Sequence, residues 1–298
     1  MKVNVRKNLR ALLKGDEIIV APGAYDALSG RIAEEAGFKA IYVGGSNINA
    51  VMGYPDGEAT RTEYLARVRE IAEVLKTPVV ADIETGFGAG SALDLMRTIK
   101  EFERAGVAAV HCEDQPTATK SQVTVAKGQG FRGAEVIPMP EMLKKIEAAL
   151  EAREDEDFVF IARTDARTRY GLQEALDRGR AYAKAGADMV VVQSLQSVDE
   201  LKRAVDHVGA PLLIYNGGSN DPLALSSDEL QKIGVRMVTF GSGVLRTSAW
   251  AVKTLMEELR RTGTDKGFVE RMISKEEVND LIGTPARDAL RKRFMETD

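Results

Sequence analysis

The feature that most constrains the fold is a repeated unit in which a helical pattern ends at glycine and a short β-rich run follows. Gly37 precedes AIYV, Gly106 precedes AAVH, Gly186 precedes MVVV and Gly234 precedes MVTF. Glycine readily adopts the left-handed conformation that closes a helix. The unit therefore predicts a chain in which helices and strands alternate.

Eight β-rich runs can be counted, each separated from the next by room for a helix. They are residues 18–23, 40–45, 78–84, 108–114, 158–165, 189–194, 212–217 and 237–242. Their apolar residues are continuous rather than alternating, which indicates parallel strands buried on both faces. Eight such units predict an α/β fold, a (β/α)8 TIM barrel formed as one domain by residues 1–298. A doubly wound open sheet is the alternative, although no G-x-G-x-x-G sequence follows any run.

Two segments fall outside this plan. Residues 115–140 form a long connection after the fourth run. Such connections in compact domains are often binding loops, so we expect an active-site lid. Residues 245–298 continue as helical stretches, near 245–262 and 268–298, beyond what a barrel needs. We expect these C-terminal helices to form contacts between subunits.

Charge and composition exclude several classes of function. The net charge is −4 with both signs interspersed, which argues against binding to nucleic acid or a membrane surface. No apolar run approaches the ~20 residues of a membrane span, and the N-terminal residues lack a signal peptide's apolar core. We therefore expect a cytoplasmic enzyme. With one cysteine and two histidines in the chain, any metal is expected to have oxygen ligands.

Carboxylates end three of the β-rich runs. They are Asp82 and Glu84, Glu113 and Asp114, and Asp165. An isolated buried charge is too costly, so these groups must be solvated, paired or bound to a cation. Barrel active sites lie at the carboxyl ends of the strands, and Mg2+ prefers oxygen ligands. The three clusters together predict a Mg2+ site, with Mn2+ as the alternative ion. Helix capping and pairing with basic residues are the competing explanation.

Other polar residues are predicted at the same end of the barrel. Asp82 and Glu84 are two residues apart, so on one strand both side chains point to the same side. Arg163 suits a substrate carboxylate because its planar guanidinium binds two oxygens at once; a salt bridge inside the barrel is the alternative. Further candidates here are Asp56, Gln193 and Asn216.

Residues with weaker signals were also weighed. The segment Gly86-Phe87-Gly88 either lets a ligand approach the backbone closely or turns the chain into the next helix. The segments Asn216-Gly217-Gly218-Ser219 and Gly241-Ser242-Gly243 either bind phosphate, as the loops after strands seven and eight often do in this fold, or form simple turns. His111 and Cys112 are adjacent in one run, so at most one of them faces the barrel axis. Cys112 is interpreted as a small buried hydrophobic residue, and neither residue is assigned a catalytic role.

At these residues the chain resembles the isocitrate lyase / phosphoenolpyruvate mutase superfamily. The resemblance runs through APGAYDALSGRIAEEAGFKAIYVGG, YPDGEAT, ADIETGFG, HCEDQ, DEDFVFIARTDAR and YAKAGADMVVV, almost the whole chain. It implies a barrel whose last helix is exchanged between subunits, in a dimer or homotetramer. It also implies Mg2+-dependent chemistry on a small carboxylate substrate, through an enolate.

The resemblance further implies roles for particular residues. Asp82, Glu84 and Glu113 would hold or orient the metal. Arg163, Asp56 and Glu113 would be the catalytic group, with Asp56 acting near the metal through water or substrate. The substrate-binding set would be Tyr42, Gly44, Gly45, Ser46, Arg163, Gln193 and Asn216, in which the two glycines offer backbone amides to a 2-oxo acid.

The sequence departs from the lyases of this superfamily in three places. Where they carry a Lys-Lys/Arg-Cys-Gly-His motif, this chain reads PTATKSQVTVAKGQG, without cysteine or histidine. Gln193 replaces a carboxylate, and Gly44, with Ser46 nearby, replaces a serine. These departures argue against a standard isocitrate or methylisocitrate lyase.

Three functional hypotheses follow from these observations. The leading one is a Mg2+-dependent carbon–carbon lyase or decarboxylase that acts on an oxaloacetate-like 2-oxo or 2-hydroxy dicarboxylate through a pyruvate enolate. The second is a phosphonopyruvate hydrolase or phosphonomutase, in which Thr119, Lys120 or Ser121 contacts the phosphoryl group. The third is a non-catalytic barrel that binds a small carboxylate.

Overall fold

The strands occupy the eight predicted positions. The computed structural model describes residues 4–116, 135–217 and 223–295. The strands are β1 (Ile19–Pro22), β2 (Ile41–Val43), β3 (Val79–Asp82), β4 (Ala109–Glu113), β5 (Val159–Thr164), β6 (Met189–Val192), β7 (Leu213–Tyr215) and β8 (Met237–Phe240).

All strand pairings are parallel and form two sheets. One sheet has the order β2-β3-β4-β5-β6 and the other the order β1-β8-β7. Single parallel bridges, Gly23 to Tyr42 and Val190 to Leu212, connect β1 to β2 and β6 to β7. This α/β arrangement is consistent with the predicted TIM barrel, and it brings the carboxyl ends of the strands to one end of the molecule.

Helices alternate with the strands, as the repeated unit predicts. They are α1 (Val5–Lys14), α2 (Ala27–Glu35), α3 (Gly45–Val51), α4 (Arg61–Val74), α5 (Ala92–Arg104), α6 (Met139–Ala152), α7 (Arg167–Lys184), α8 (Val198–Val208), α9 (Ser227–Ile233), α10 (Gly243–Thr262), α11 (Lys275–Leu281) and α12 (Thr284–Met295). Gly37, Gly106, Gly186 and Gly234 have φ between 86° and 105°, so each adopts the left-handed conformation expected after a helix.

The strands are buried on both faces. On β3, Val80 packs with residues such as Ile161 and Met237 in an inner cluster, whereas Val79 and Ala81 pack in the outer cluster against the helices. Burial on two faces explains why the strand sequences are continuous apolar runs.

Helix α1 closes the end of the molecule opposite the carboxyl ends of the strands. Leu9 is fully buried in the inner cluster. Arg10 donates hydrogen bonds to the carbonyls of Asp157 and Phe158, which directly precede β5, and forms an ion pair with Asp188 at 2.6 Å. The sequence analysis did not assign a role to this segment.

The C-terminal region contains more helices than the two predicted stretches. The first helical stretch is α10, but the second consists of a 3-10 helix (Lys266–Arg271), α11 and α12. Neither α10 nor α12 has a buried residue. Large apolar side chains project from them into solvent, including Trp250 (65% exposed) and Phe294 (69% exposed). In the described parts of the chain, no helix combines the length and apolar character that a membrane span requires.

Candidate active site

A cavity of about 200 Å3 lies at the carboxyl ends of the strands. Ten of the predicted site residues line it: Tyr42, Gly44, Gly45, Ser46, Asp56, Asp82, Glu113, Arg163, Gln193 and Asn216. The glycine-rich turns named in the sequence contribute Gly217, Gly241 and Ser242 to the lining, and the two lining residues without a sequence signal are Asn47 and Tyr215. The strand order therefore gathers residues as distant in the sequence as Tyr42 and Ser242.

The carboxylates of Asp82 and Glu84 lie close together, but not because the two residues share a strand, as the sequence pattern predicts. Strand β3 ends at Asp82, and Glu84 adopts a left-handed conformation with φ 56°. The amide of Glu84 donates to Asp82 Oδ1 at 2.8 Å, so the chain turns back on itself. Both carboxylates face Gly45, since a Cβ atom there would lie 2.0 Å from Glu84 Oε1 and 3.2 Å from Asp82 Oδ2. Only a glycine at position 45 leaves room for the pair.

The amide of Gly45 is engaged in this cluster. It donates to Asp82 Oδ2 at 3.2 Å, whereas the resemblance implies that it faces the substrate. Gly45 is also the first residue of α3, which follows Gly44 directly after β2. The positive end of a helix dipole thus lies beside Asp82, which stabilises its negative charge.

Arg163 lies between two carboxylates at the floor of the cavity. Its Nη1 atom is 3.2 Å from Glu113 Oε2, and its Nη2 atom is 2.8 Å from Asp165 Oδ1. The guanidinium also stacks over Tyr215, 5.6 Å from the ring centroid. The predicted ion pair of Arg163 is therefore present, and the side chain also lines the cavity, where its binding of a substrate carboxylate stays a prediction.

Burial and charge act differently on the two members of this pair. It raises the pKa of the Glu113 carboxyl well above its usual range, while the charge of Arg163 acts in the opposite direction. Burial alone would lower the pKa of Arg163, but the carboxylates of Asp165 and Glu113 outweigh it and keep the guanidinium charged.

A cluster of two tyrosines and one histidine lies beside the acidic residues. Nε2 of His111 is 2.6 Å from the Tyr42 hydroxyl and 2.9 Å from the Tyr215 hydroxyl. It is also 3.5 Å from Asp82 Oδ2. Burial lowers the pKa of His111, which favours the neutral imidazole. The tautomer decides whether Nε2 accepts from or donates to these hydroxyls.

The sequence pattern explains only part of this cluster. The prediction that at most one of His111 and Cys112 faces the axis is confirmed, since Cys112 lies in the outer cluster. The sequence pattern did not predict Tyr215 as a site residue, because the other residues of its short strand, Leu213 and Ile214, are apolar. A hydroxyl at the inward position nearest the carboxyl end of β7 is the signal that could have identified it.

Asp56 lies at the exposed rim of the cavity. Its loop is held by Asn49 of α3, whose side-chain oxygen accepts hydrogen bonds from the amides of Glu58 and Ala59 at 3.0 and 2.7 Å. The side-chain amide of Asn49 donates to the Gly45 carbonyl. One buried asparagine therefore connects the loop that carries Asp56 with the helix beside Asp82.

Asp114 points away from the cavity, unlike its neighbour Glu113. It accepts a hydrogen bond from the Tyr182 hydroxyl at 2.7 Å and lies 3.3 Å from Arg178 Nη1, both on α7. It also accepts from the amide of Asp165. Asp114 therefore attaches β4 to the helical layer, which matches the structural interpretation weighed for the acidic clusters.

The remaining predicted site residues fall into two groups. Gln193 and Asn216 line the cavity, and the Asn216 side chain donates to the Leu225 carbonyl at 2.7 Å. Of the expected lid, residues 115–140, only 115–116 and 135–140 lie within the described ranges. Thr119, Lys120 and Ser121 lie outside them, as do Gly218 and Ser219.

The donors around the cavity suit a hard divalent cation. In the described ranges, no group of three His, Cys, Asp or Glu side chains is arranged to hold a metal ion. The carboxylates of Asp82 and Glu84 nevertheless converge on the space that a Cβ atom at residue 45 would fill. Mg2+ usually keeps several waters and binds through one or two carboxylates, so these oxygen donors fit it.

Comparison with known proteins decides the family. Residues 9–260 match the family described as phosphoenolpyruvate phosphomutase. The chain belongs to the phosphoenolpyruvate mutase / isocitrate lyase superfamily. The resemblance derived from the sequence motifs is thereby confirmed.

Members of this superfamily with different activities are similar to the chain. It is 37% identical to a 2,3-dimethylmalate lyase from Eubacterium barkeri, over 94% of this chain and 95% of that protein. It is 35% identical to a 2-methylisocitrate lyase from Aeropyrum pernix, over 92% and 86%. A solved structure of phosphonopyruvate hydrolase with oxalate and Mg2+ superimposes with a TM-score of 0.86 at 29% identity, covering 98% of this chain and 100% of the other.

Proposed function

We propose that this protein is a Mg2+-dependent carbon–carbon lyase that cleaves a small 2-oxo or 2-hydroxy dicarboxylate and releases a 2-oxo acid. One observation carries the proposal: a 200 Å3 cavity places the Arg163 guanidinium beside the carboxylates of Asp82 and Glu113. The similarity to two proteins named as lyases supports carbon–carbon cleavage. Because both relatives are named as enzymes, a non-catalytic barrel is the weakest of the three hypotheses.

The charge of the cavity supports a divalent cation. Among the described residues that line it, Asp56, Asp82 and Glu113 are acidic and Arg163 is basic. A dicarboxylate entering this space would be repelled unless a cation offset the excess negative charge. Asp82, Glu84 and Glu113 would hold or orient Mg2+, and Mn2+ can replace it. When bound, the ion would stabilise negative charge that develops on a substrate oxygen.

The protein's own residues would bind the substrate and control its protons. Arg163 would exchange one of its two ion pairs for a substrate carboxylate, which its planar guanidinium binds with two hydrogen bonds. The hydroxyls of Tyr42 and Tyr215, held by neutral His111, would contact the 2-oxo or 2-hydroxy oxygen. Gln193 and Asn216 would complete the polar wall.

The bond change differs between the two substrate types. In a 2-oxo acid such as oxaloacetate, the C3–C4 bond breaks, CO2 leaves and its electron pair remains as the enolate of pyruvate, which then takes a proton at C3. In a 2-hydroxy acid the hydroxyl loses its proton and the C2–C3 bond breaks, so that C2 becomes the carbonyl of the 2-oxo product. The electron pair of the broken bond stays on C3, which then takes a proton to give the second carboxylate product. Both reactions need stabilisation of an oxygen anion.

A reaction at a carbon–phosphorus bond is the second candidate. It is favoured by the family match over residues 9–260 and by the similarity to phosphonopyruvate hydrolase. The same carboxylate and metal contacts would bind the pyruvate part of phosphonopyruvate. A polar residue of the segment after β4, with Thr119, Lys120 and Ser121 as the candidates, would then contact the phosphoryl group.

Pyruvate release distinguishes these activities. We would offer oxaloacetate, 2,3-dimethylmalate, methylisocitrate and phosphonopyruvate, with Mg2+ or with EDTA. Each assay needs a blank without enzyme, because metal ions alone decarboxylate oxaloacetate. Metal-dependent pyruvate from one carbon acid supports the lyase, whereas pyruvate with phosphate from phosphonopyruvate supports the second candidate. Absence of product from all four substrates would contradict both proposals.

The exposed C-terminal helices suggest how the protein assembles. We propose that α10 and α12 pack against a second copy of this chain in a cytoplasmic homo-oligomer, a dimer or tetramer, with a closed barrel in each subunit. Helices carrying Trp250, Met256 and Phe294 are expected to bury those side chains against another element. Light scattering after size-exclusion chromatography would measure the assembly directly, and a monomer at micromolar concentration would contradict it.

A further inference from the structure

A buried lysine lies behind the acidic cluster, outside the cavity. Lys145 is on α6 and is 2% exposed. Its Nζ atom donates a hydrogen bond of 2.7 Å to the carbonyl oxygen of Thr85. Burying an ammonium group is costly, and an apolar side chain of similar volume is often no less stabilising at such a position. The charge and the donor at residue 145 therefore require an explanation other than packing.

The hydrogen bond is made to a strained turn. Thr85 lies between Glu84, with φ 56°, and Gly86, with φ 98°; Phe87 follows with φ 58°. Non-glycine residues adopt this conformation only when the surrounding structure enforces it. Thr98 of α5 donates to the Gly86 carbonyl at 2.7 Å, so two helices hold successive carbonyls of the same turn.

The turn determines where the Glu84 carboxylate lies. With φ near 56°, its Oε1 atom occupies the space beside Gly45, next to Asp82. If the Thr85 carbonyl were released, Glu84 could relax towards the extended conformation that non-glycine residues prefer. Its side chain would then leave the position beside Asp82.

We propose that Lys145 is a positioning residue that fixes the turn at residues 84–87 and so holds the Glu84 carboxylate beside Asp82 for the divalent cation. This inference rests on the proposed function, because it assigns Glu84 to the metal. Lys145 acts on the cation through Glu84 and the Thr85 carbonyl. Residues that orient metal ligands in this way typically change metal affinity about 10–100-fold when they are replaced.

The test measures metal binding directly. Mn2+ is titrated into the full-length protein, and free Mn2+ is followed by its electron paramagnetic resonance signal. We would compare Lys145→Met, which removes both charge and donor, with Lys145→Gln, which keeps a neutral N–H donor. Lys144→Met is the matched control, because Lys144 is the exposed neighbour on the same helix. Thermal unfolding of each variant monitors folding.

We expect Lys145→Met to weaken Mn2+ binding at least tenfold and to raise the Mg2+ concentration needed for half-maximal turnover by a similar factor. Lys145→Gln should lie between Lys145→Met and the wild type, and Lys144→Met should bind as the wild type does. A folded Lys145→Met protein with a Kd within twofold of wild type would overturn the proposal. If Lys145→Met does not fold, Lys145→Gln is the deciding variant, and a Kd for Mn2+ within twofold of wild type would then overturn the proposal.

The wild-type titration separates this inference from the proposed function. A wild-type protein that does not bind Mn2+ would refute the metal site itself, and the role of Lys145 with it. Binding by the wild type together with equal binding by the Lys145 variants would refute only the role of Lys145.

Discussion

Arg163 and Glu113 face each other at the floor of the cavity, with Nη1 of the guanidinium 3.2 Å from Oε2 of the carboxylate. Glu113 is completely buried, and Arg163 is 7% exposed. In this position each charge is an ion-pair partner of the other in a largely buried part of the cavity. Their separation is also short enough for a single small substrate to contact both.

Replacing Glu113 with glutamine should abolish turnover. The substitution keeps the shape of the side chain but removes the negative charge that would orient the cation, so we expect kcat/KM to fall at least about 100-fold. The measurement is metal-dependent pyruvate release, with circular dichroism to confirm folding. Glu151→Gln, an exposed change on α6, serves as the control. Unchanged activity in Glu113→Gln would refute the metal assignment.

Gly45→Ala should disrupt the acidic pair. The new methyl group would lie 2.0 Å from Glu84 Oε1, which forces that carboxylate to move. We expect Mn2+ affinity to fall about tenfold or more, as for other changes that disturb metal ligands. Gly15→Ala is the control, because its Cβ would make only an ordinary contact of 3.4 Å. Equal Mn2+ binding by both variants would show that Glu84 is not a ligand.

Arg10→Met should destabilise the protein without changing the active site. Arg10 connects α1 to Asp188 and to the backbone before β5, at the end opposite the cavity. Because the pair is only partly buried, we expect the free energy of unfolding to fall by about 1–3 kcal/mol. Urea denaturation measures this, with the exposed Lys7→Met on the same helix as the control. A loss of activity at unchanged stability would contradict this role.

Cys112 should be unreactive in the folded protein. Burial raises the pKa of its thiol to about 12, so the thiolate that reacts with disulfide reagents is scarce at pH 8. We expect no release of thionitrobenzoate from Ellman's reagent in buffer and one equivalent in denaturant, because the chain has one cysteine. A rapid reaction in the native state would show that β4 opens to solvent.

Met256→Glu should weaken the proposed assembly. Met256 is 54% exposed on α10, and a charge there would have to be buried if the helix packs against another copy. We expect light scattering to show a smaller species at micromolar concentration. Lys253→Glu adds a negative charge to an already polar position on the same helix and should leave the assembly unchanged. The same mass for both variants would exclude Met256 from an interface.

The sequence predicted those parts of the structure that depend on local patterns. The eight strands and the closing glycines follow from apolar periodicity and from the conformational freedom of glycine, both of which are visible within about ten residues. The carboxylates at the strand ends could be placed at one end of the fold because parallel strands share their direction. Ten of the predicted site residues consequently line one cavity.

What the sequence could not predict depends on contacts between distant residues. The hydrogen bonds of His111 to Tyr42 and Tyr215 join residues 69 and 104 positions apart, and no periodicity reports them. The apolar run predicts a strand that continues through Glu84, whereas the chain turns there, and the two hydrogen bonds that hold the turn come from α5 and α6. The role of α1 was missed because its polar face, which carries Arg10, contacts only tertiary partners.

The position of α1 has a consequence for how new activities could arise on this scaffold. Its arginines form ion pairs at one end of the molecule, and the loops that line the cavity lie at the other. Substitutions in those loops can therefore change the choice of substrate while the contacts that stabilise the fold stay intact. In directed evolution, libraries confined to the cavity loops should retain a large folded fraction, and reinforcing the contacts of α1 should enlarge it further.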